Sequence, residues 1–162
     1  MRNTVVFRIF QPRSAASLGR KPLRVAAIAL LLVSLSLGCA TIAPFNPTAY
    51  EQATSLKVDS LSVMGKATGP FAQHRVEVEG LKLKLDKAYE YARGIPKNEI
   101  TAKQWEILRD PDRHLLGGFL DRWQKESTLS RGYIAEKKRQ VGEAFDTIIG
   151  LESGKIKPSE VK

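Results

Sequence analysis

The sequence has few of the side chains that enzymes and metal sites depend on. It contains one cysteine and two histidines among 162 residues. A lone cysteine cannot form a disulfide within the chain. The histidines, His74 and His114, stand far apart, and no cluster of ligand residues has the spacing of a metal site. Because no nucleophile–base pair is visible either, we expect no catalytic residue, cofactor or metal, and the protein is not predicted to be an enzyme.

Two features come close to a functional motif without matching one. Gly150–Lys155 is one residue too short for a phosphate-binding loop, and Ile156 stands where a magnesium-binding Ser or Thr is needed. We interpret this segment as a helix terminus. Asp110, Asp112 and Asp121 are interpreted as helix caps and solvated side chains rather than as a site. The sequence therefore identifies no small-molecule substrate.

The positive charge is concentrated in one short segment. The whole chain has 26 basic and 17 acidic residues, a formal charge of +9. Residues 1–38 hold six of the basic side chains and no acidic one, so the remainder carries only +3. A nucleic-acid-binding protein should show its basic patch on the folded part. We expect no nucleic-acid partner, and we interpret Lys137–Arg139 as a solvated helix face, with contact to anionic lipid heads as the alternative.

The one long apolar run follows this basic segment. Val25–Gly38 is fourteen residues long and contains no charge. A membrane-spanning helix needs about 20 apolar residues, whereas a run of this length after basic residues is typical of a secretory signal peptide. The pattern indicates that residues 1–38 direct export.

The end of the apolar run, Leu37-Gly38-Cys39, resembles the lipobox of bacterial lipoproteins. Ser36 departs from the usual pattern, which has Leu there, and Leu35 comes one place earlier. The resemblance implies that a diacylglycerol is attached to the Cys39 thiol, that the signal is cut after Gly38, and that the new amino group is acylated. Two or more acyl chains would anchor the protein stably in a membrane.

The resemblance also implies a location and a function. An Asp directly after the cysteine resembles a retention signal for the inner membrane. This chain has Ala40 at that position, so the resemblance implies the outer membrane, with the protein facing the periplasm. We expect a structural or protein-interaction module of the cell envelope, with another envelope protein as its partner. The alternative is an inner-membrane accessory subunit with an uncleaved helix at residues 25–43. An enzyme acting on the cell wall is a distant third.

Residues 39–46 are predicted to form a lipidated tether. The sequence then predicts an all-α domain over residues 47–154 and a polar tail over residues 155–162. The expected architecture is an antiparallel bundle of three long helices with a short helical pair before the last. Asn46-Pro47 is a helix start, with Asn as the N-cap and Pro at the first helical position. This first helix is predicted to run to about Thr68, with an inward stripe of Ala49, Ala53, Leu56, Ser60, Val63 and Ala67.

The segment after Gly69-Pro70 carries two conflicting patterns. Val76–Leu85 alternates apolar and polar residues, which is typical of a strand. A longer heptad pattern runs through the same residues, and we therefore predict a helix over about Phe71–Arg93. The residues of this heptad seam are Phe71, His74, Val78, Leu81, Leu85, Ala88 and Ala92. His74 is expected to pack within the seam, and His114 to lie on the surface.

The predictions for the last helices rest on local start signals. Thr101–Gln104 reads as a capping box before the core anchor Trp105, and Asp110 as the cap of the second short helix. Close packing of another helix is expected to compensate for Gly117-Gly118 inside it. The second short helix should bury Leu115, Leu116, Phe119, Leu120 and Trp123, and the last, from Arg131 to about Ser153, should bury Ile134, Val141, Phe145, Ile148 and Leu151.

Overall fold

The structure, a computed structural model, describes residues 43–161, and its regular elements in that range are all helical. The all-α prediction is confirmed for this part of the chain. The predicted signal segment, Gly38, Cys39 and the start of the tether lie outside the described residues. The helices are α1 (Pro47–Gly65), α2 (Phe71–Gly94), α3 (Glu99–Arg109), α4 (Leu116–Glu126) and α5 (Arg131–Glu152), followed by a short 3-10 turn, Pro158–Glu160.

The helices form four antiparallel columns. Lys84 of α2 pairs with Asp59 of α1 at 2.8 Å, and Lys66 at the end of α1 pairs with Glu77 near the start of α2, so the two helices run in opposite directions. α5 packs antiparallel on the other side of α1. The short helices α3 and α4 follow one another and together complete the fourth column. Exposed ion pairs such as these contribute at most about 1 kcal/mol each, so they set register more than stability.

Apolar stripes from all four columns meet in one core. The predicted inward residues of α1 and α5 are all buried. Trp105 of α3 packs edge-on against Phe145 of α5, with the ring centroids 5.8 Å apart. The burial predicted for α4 also holds, except that Leu115 is only half-buried. These stripes identify the core correctly because a helix places every third or fourth residue on the same side.

The conflict in α2 is resolved in favour of the helix. Leu81 and Leu85 are buried, with exposed fractions of 3% and 2%, whereas Leu83 between them is 55% exposed. A strand would have placed all three on one face. His74 is the one half-buried member of the seam, and its ring lies 5.5 Å from that of Trp123.

The capping box predicted at Thr101 is wrong. α3 begins two residues earlier, at Glu99, with Asn98 as its N-cap residue. Thr101 lies inside the helix and is buried on the same stripe as Trp105 and Leu108. Its burial against the core outweighed the local tendency of a threonine to cap a helix.

The predicted start of the next helix at Asp110 is also wrong, and α4 begins only at Leu116. Asp110 instead stabilises an exposed turn, where its Oδ1 accepts a hydrogen bond of 2.9 Å from the backbone N–H of Asp112. The predicted compensation for the two glycines needs correction as well. The last residue of α3, Arg109, and the turn that follows it lie against Gly117, whereas Gly118 faces the turn alone.

The chain reversals at one end of the domain are tied together, and we call this the distal end: residues 66–71 and 127–130. α1 ends at Gly65, slightly before the predicted Thr68, and a tight turn follows. The N–H of Phe71 donates to the carbonyl of Ser127 at 2.8 Å, and that of Leu129 to the carbonyl of Ala67 at 2.8 Å. Because these bonds join opposite halves of the sequence, they fix α1 and α2 relative to α4 and α5.

Truncating the seam should separate buried from exposed leucines. In a protein that begins at Ala43, Leu81→Ala is expected to lower the free energy of unfolding by about 2–5 kcal/mol through lost burial and a cavity. Leu83→Ala, a chemically identical change on the same helix, should cost far less because Leu83 is exposed. Urea denaturation of both variants measures the difference, and equal losses would contradict the packing of α2.

Gly117 should tolerate no side chain. A Cβ added there would overlap the carbonyl oxygen of Arg109 and the carbonyl group of Asp110, and neither backbone group can rotate away. Gly117→Ala is therefore expected to destabilise the protein by at least about 2 kcal/mol. Gly80→Ala is the matched control, because Gly80 lies in the exposed middle of α2 with nothing within 4 Å. The control should gain about 0.5–1 kcal/mol in a thermal or urea melt.

Candidate functional site

The end of the domain opposite the distal end receives the predicted tether, and we call it the tether end: residues 43–51, 90–101 and 151–160. Asn46 closes the start of α1 as predicted, because its Oδ1 accepts a hydrogen bond of 3.1 Å from the N–H of Ala49. Its amide also donates to the hydroxyl of Tyr91 at 3.2 Å, which joins the start of α1 to the end of α2. The chain thus enters the folded domain at a fixed point.

A buried polar pair lies beneath the tether end. The Nδ2 of Asn98 donates to Glu152 Oε1 at 3.0 Å and to the carbonyl of Ala92 at 3.3 Å. Both side chains are buried, and a cavity of about 10 Å³ beside them has room for roughly one water molecule. Lys97, just before Asn98, has a left-handed backbone with φ of 64°, which is uncommon for a side chain of its type.

Burial raises the pKa of Glu152 above its ordinary value, and the hydrogen bond from Asn98 opposes this rise. A carboxyl group of this kind could in principle act as an acid or base. However, the residues that line its cavity include no histidine, cysteine or second carboxylate. The hydrogen bond between Asn98 and Glu152 therefore joins the start of α3 to the end of α5.

The two histidines lie in different settings. His74 sits in the distal half of α2, with its Nδ1 3.6 Å from Glu77 and its ring beside Trp123. His114 is exposed in the turn before α4, and its carbonyl accepts a hydrogen bond of 2.8 Å from Lys137. Within residues 43–161, no three His, Cys, Asp or Glu side chains are grouped so that they could hold a metal ion.

The remaining sequence candidates take part in contacts within the domain. Gly154 ends the helical segment with a φ of 70°, and Ile156 folds back over Gly150, so the segment that resembled a phosphate loop is a helix terminus. Asp121 pairs with Lys125 at 2.7 Å. In the basic run, Lys137 binds the turn before α4, and Arg139 is held between Glu136 and Glu143.

The sequence patterns did not indicate two features that the structure shows. Asn98 and Glu152 are separated by 54 residues, so no local pattern indicates their pairing. Exposed apolar side chains also gather at the tether end, among them Phe45 and Ile100. The one sequence signal for this exposed apolar group is the position of Phe45, which lies between two prolines close to the lipobox-like motif.

Comparison with known proteins gives no family for this chain. No protein-family model matches it, and neither a curated protein nor a solved structure is significantly similar. In the described part of the chain, no helix is long and apolar enough to cross a membrane.

The buried carboxyl group should make stability depend on pH. The folded state holds the proton of Glu152 more tightly than the unfolded state, so ionisation at rising pH costs stability. This loss of stability begins at the pKa that Glu152 has in the unfolded chain and is complete above the pKa that it has in the folded protein. Glu152→Gln cannot ionise and keeps an acceptor for Asn98. Its stability relative to wild type should therefore increase from acidic to neutral pH.

Urea denaturation at several pH values measures this difference. Glu51→Gln, a substitution at an exposed glutamate of the tether end, is the matched control. A Glu152→Gln variant whose stability runs parallel to wild type at every pH would contradict the burial of an ionisable carboxyl.

Proposed function

We propose that this chain is a lipid-anchored protein of the bacterial cell envelope, whose helical bundle acts by contact rather than by catalysis. Residues 1–38 would be the signal peptide, cut after Gly38, and Cys39 would carry the lipid. Ala40 supports transfer to the outer membrane, with the domain facing the periplasm. A short tether to residue 46 would then connect the anchor to the bundle domain, and residues 155–162 would form its tail.

The observation that carries this proposal is the sharp start of the folded domain at Asn46, seven residues after Cys39. The cap and first turn of α1 are complete without any residue before the tether. The domain can therefore fold after the signal has been removed. This is what a lipoprotein requires, because processing leaves the cysteine as its first residue.

The surface of the domain supports contact with another envelope protein. Val76 and Leu83 lie seven residues apart on the outer side of α2, and Val76 is 87% exposed. Residues two turns apart share one side of a helix, so the two form a small apolar strip that α2 does not bury in its own core. We propose this strip as the contact with the partner.

Cys39→Ser tests the anchor. The sulfur of Cys39 is the only thiol in the chain, so the variant should incorporate no lipid and remain as an uncleaved precursor. Labelling growing cells with a tagged fatty acid, followed by gel analysis, measures both outcomes. The matched control is Ser36→Ala, which leaves the thiol in place and should still be labelled.

Equal labelling of the Cys39→Ser variant and wild type would refute lipidation at this residue. The mass of the mature N-terminus then distinguishes the remaining possibility. A wild-type protein that keeps residues 1–38 and carries no lipid would favour an inner-membrane accessory subunit with a membrane helix at residues 25–43.

A further inference from the structure

Apolar exposure is unevenly distributed over the domain. Residues 43–161 expose seven large hydrophobic side chains, and four of them belong to the tether end. Phe45 is 60% exposed and Ile100 is 41% exposed, while Tyr50 and Tyr91 are slightly more covered. All three exposed aromatic residues of the described chain are in this group. The other exposed hydrophobic residues, Val58, Val76 and Leu83, lie along the sides of α1 and α2.

The four side chains lie at the same end of the domain, and contacts link three of them. The rings of Phe45 and Tyr50 are 6.0 Å apart. Asn46, between them in sequence, bonds to the hydroxyl of Tyr91. Ile100 shares the wall of a small cavity with Ala43, just before Phe45. We call Phe45, Tyr50, Tyr91 and Ile100 the end patch.

The short tether limits what can face this patch. Cys39 precedes Phe45 by six residues, which span about 20 Å at full extension. An anchor at Cys39 would therefore keep the end patch close to the membrane. Aromatic side chains concentrate at membrane–water interfaces, because their rings are apolar and a tyrosine hydroxyl can stay hydrated.

We propose that the end patch docks into the interface of the membrane to which the chain is anchored, an inference that rests on the proposed membrane anchor. The four side chains lie at the boundary between headgroups and acyl chains. The helical columns then stand away from the bilayer, with the distal end farthest from it. The strip of Val76 and Leu83 faces sideways, where a partner protein can reach it.

The charges around the patch indicate which lipids it requires. Arg93, Lys97, Lys155 and Lys157 are exposed at the tether end, but so are Glu51, Glu90, Glu99 and Glu160. This balance gives no net attraction to an anionic surface. Docking therefore depends on apolar insertion, and it should occur on zwitterionic vesicles and change little with salt.

Photo-crosslinking to lipid tests the orientation. The protein is produced in cells from the full-length sequence, purified from their membranes and reconstituted into phosphatidylcholine vesicles that contain a tagged phospholipid. A benzophenone amino acid replaces Glu99 or Thr68. Both positions are exposed, the first at the tether end and the second at the distal end. We expect lipid adducts several-fold more abundant from position 99 than from position 68, at low and at high salt.

Two triple variants show whether the patch is responsible. Phe45→Ser, Tyr50→Ser and Ile100→Ser together should abolish most of the crosslinking from position 99. Val58→Ser, Val76→Ser and Leu83→Ser together remove an equal number of exposed apolar side chains from helix sides and should leave it unchanged. Far-UV circular dichroism and a thermal melt verify that both variants remain folded.

The outcomes distinguish docking of the end patch from lipid anchoring. Equal crosslinking from positions 99 and 68 on vesicle-bound protein would overturn docking of the end patch and leave lipid anchoring intact. Strong crosslinking from position 99 on a protein whose mass shows no lipid would support docking and refute lipidation. A protein that fails to associate with vesicles would overturn both. If the difference in crosslinking between positions 99 and 68 disappears in high salt, electrostatic attraction rather than apolar docking holds this end at the membrane.

Discussion

The indole of Trp123 joins α4 to the turn between α1 and α2, which lies 54 residues earlier in the chain. It is fully buried, its N–H donates to the carbonyl of Gly69 at 3.0 Å, and the ring of Phe71 meets it edge-on. A buried indole needs a partner for its N–H, and the turn between α1 and α2 supplies one. The position of α4 against the hairpin of α1 and α2 therefore depends on this one side chain and on the two backbone bonds beside it.

The two ends of the domain differ in how they are closed. The distal end is sealed by large aromatic side chains and backbone hydrogen bonds between the turns. The tether end is closed by a polar pair, Asn98 and Glu152, and it leaves Phe45 and its neighbours exposed. A buried carboxyl group is costly unless it is hydrogen-bonded, so the closure of this end depends on the bond from Asn98 to Glu152. This asymmetry is what the proposed docking of the tether end on a membrane requires, because only that end would contact the bilayer.

The sequence predicted the helical faces well and the candidate site poorly. The seam of α2 was recognised from its heptad spacing despite the alternation of Val76–Leu85, because a seam longer than the alternating stretch outweighs it. The starts of α3 and α4 were misplaced, because Thr101 and Asp110 carry local capping signals that packing overrode. The pairing of Asn98 with Glu152 had no local signal at all, since each residue alone is an ordinary polar side chain.

What the sequence determined by itself is local and periodic. Asn46 and Ser130 cap the helices that follow them, and Gly94 and Gly154 lie where helices end, because these effects act within a few residues. The lipobox-like motif is local in the same way, and lipidation of Cys39 stays a prediction. Only the tertiary structure decided which residues meet across the domain: the turn that packs on Gly117, the partner of Glu152 and the gathering of apolar side chains at the tether end. Such contacts join segments far apart in the chain, and their energy exists only once the helices have packed.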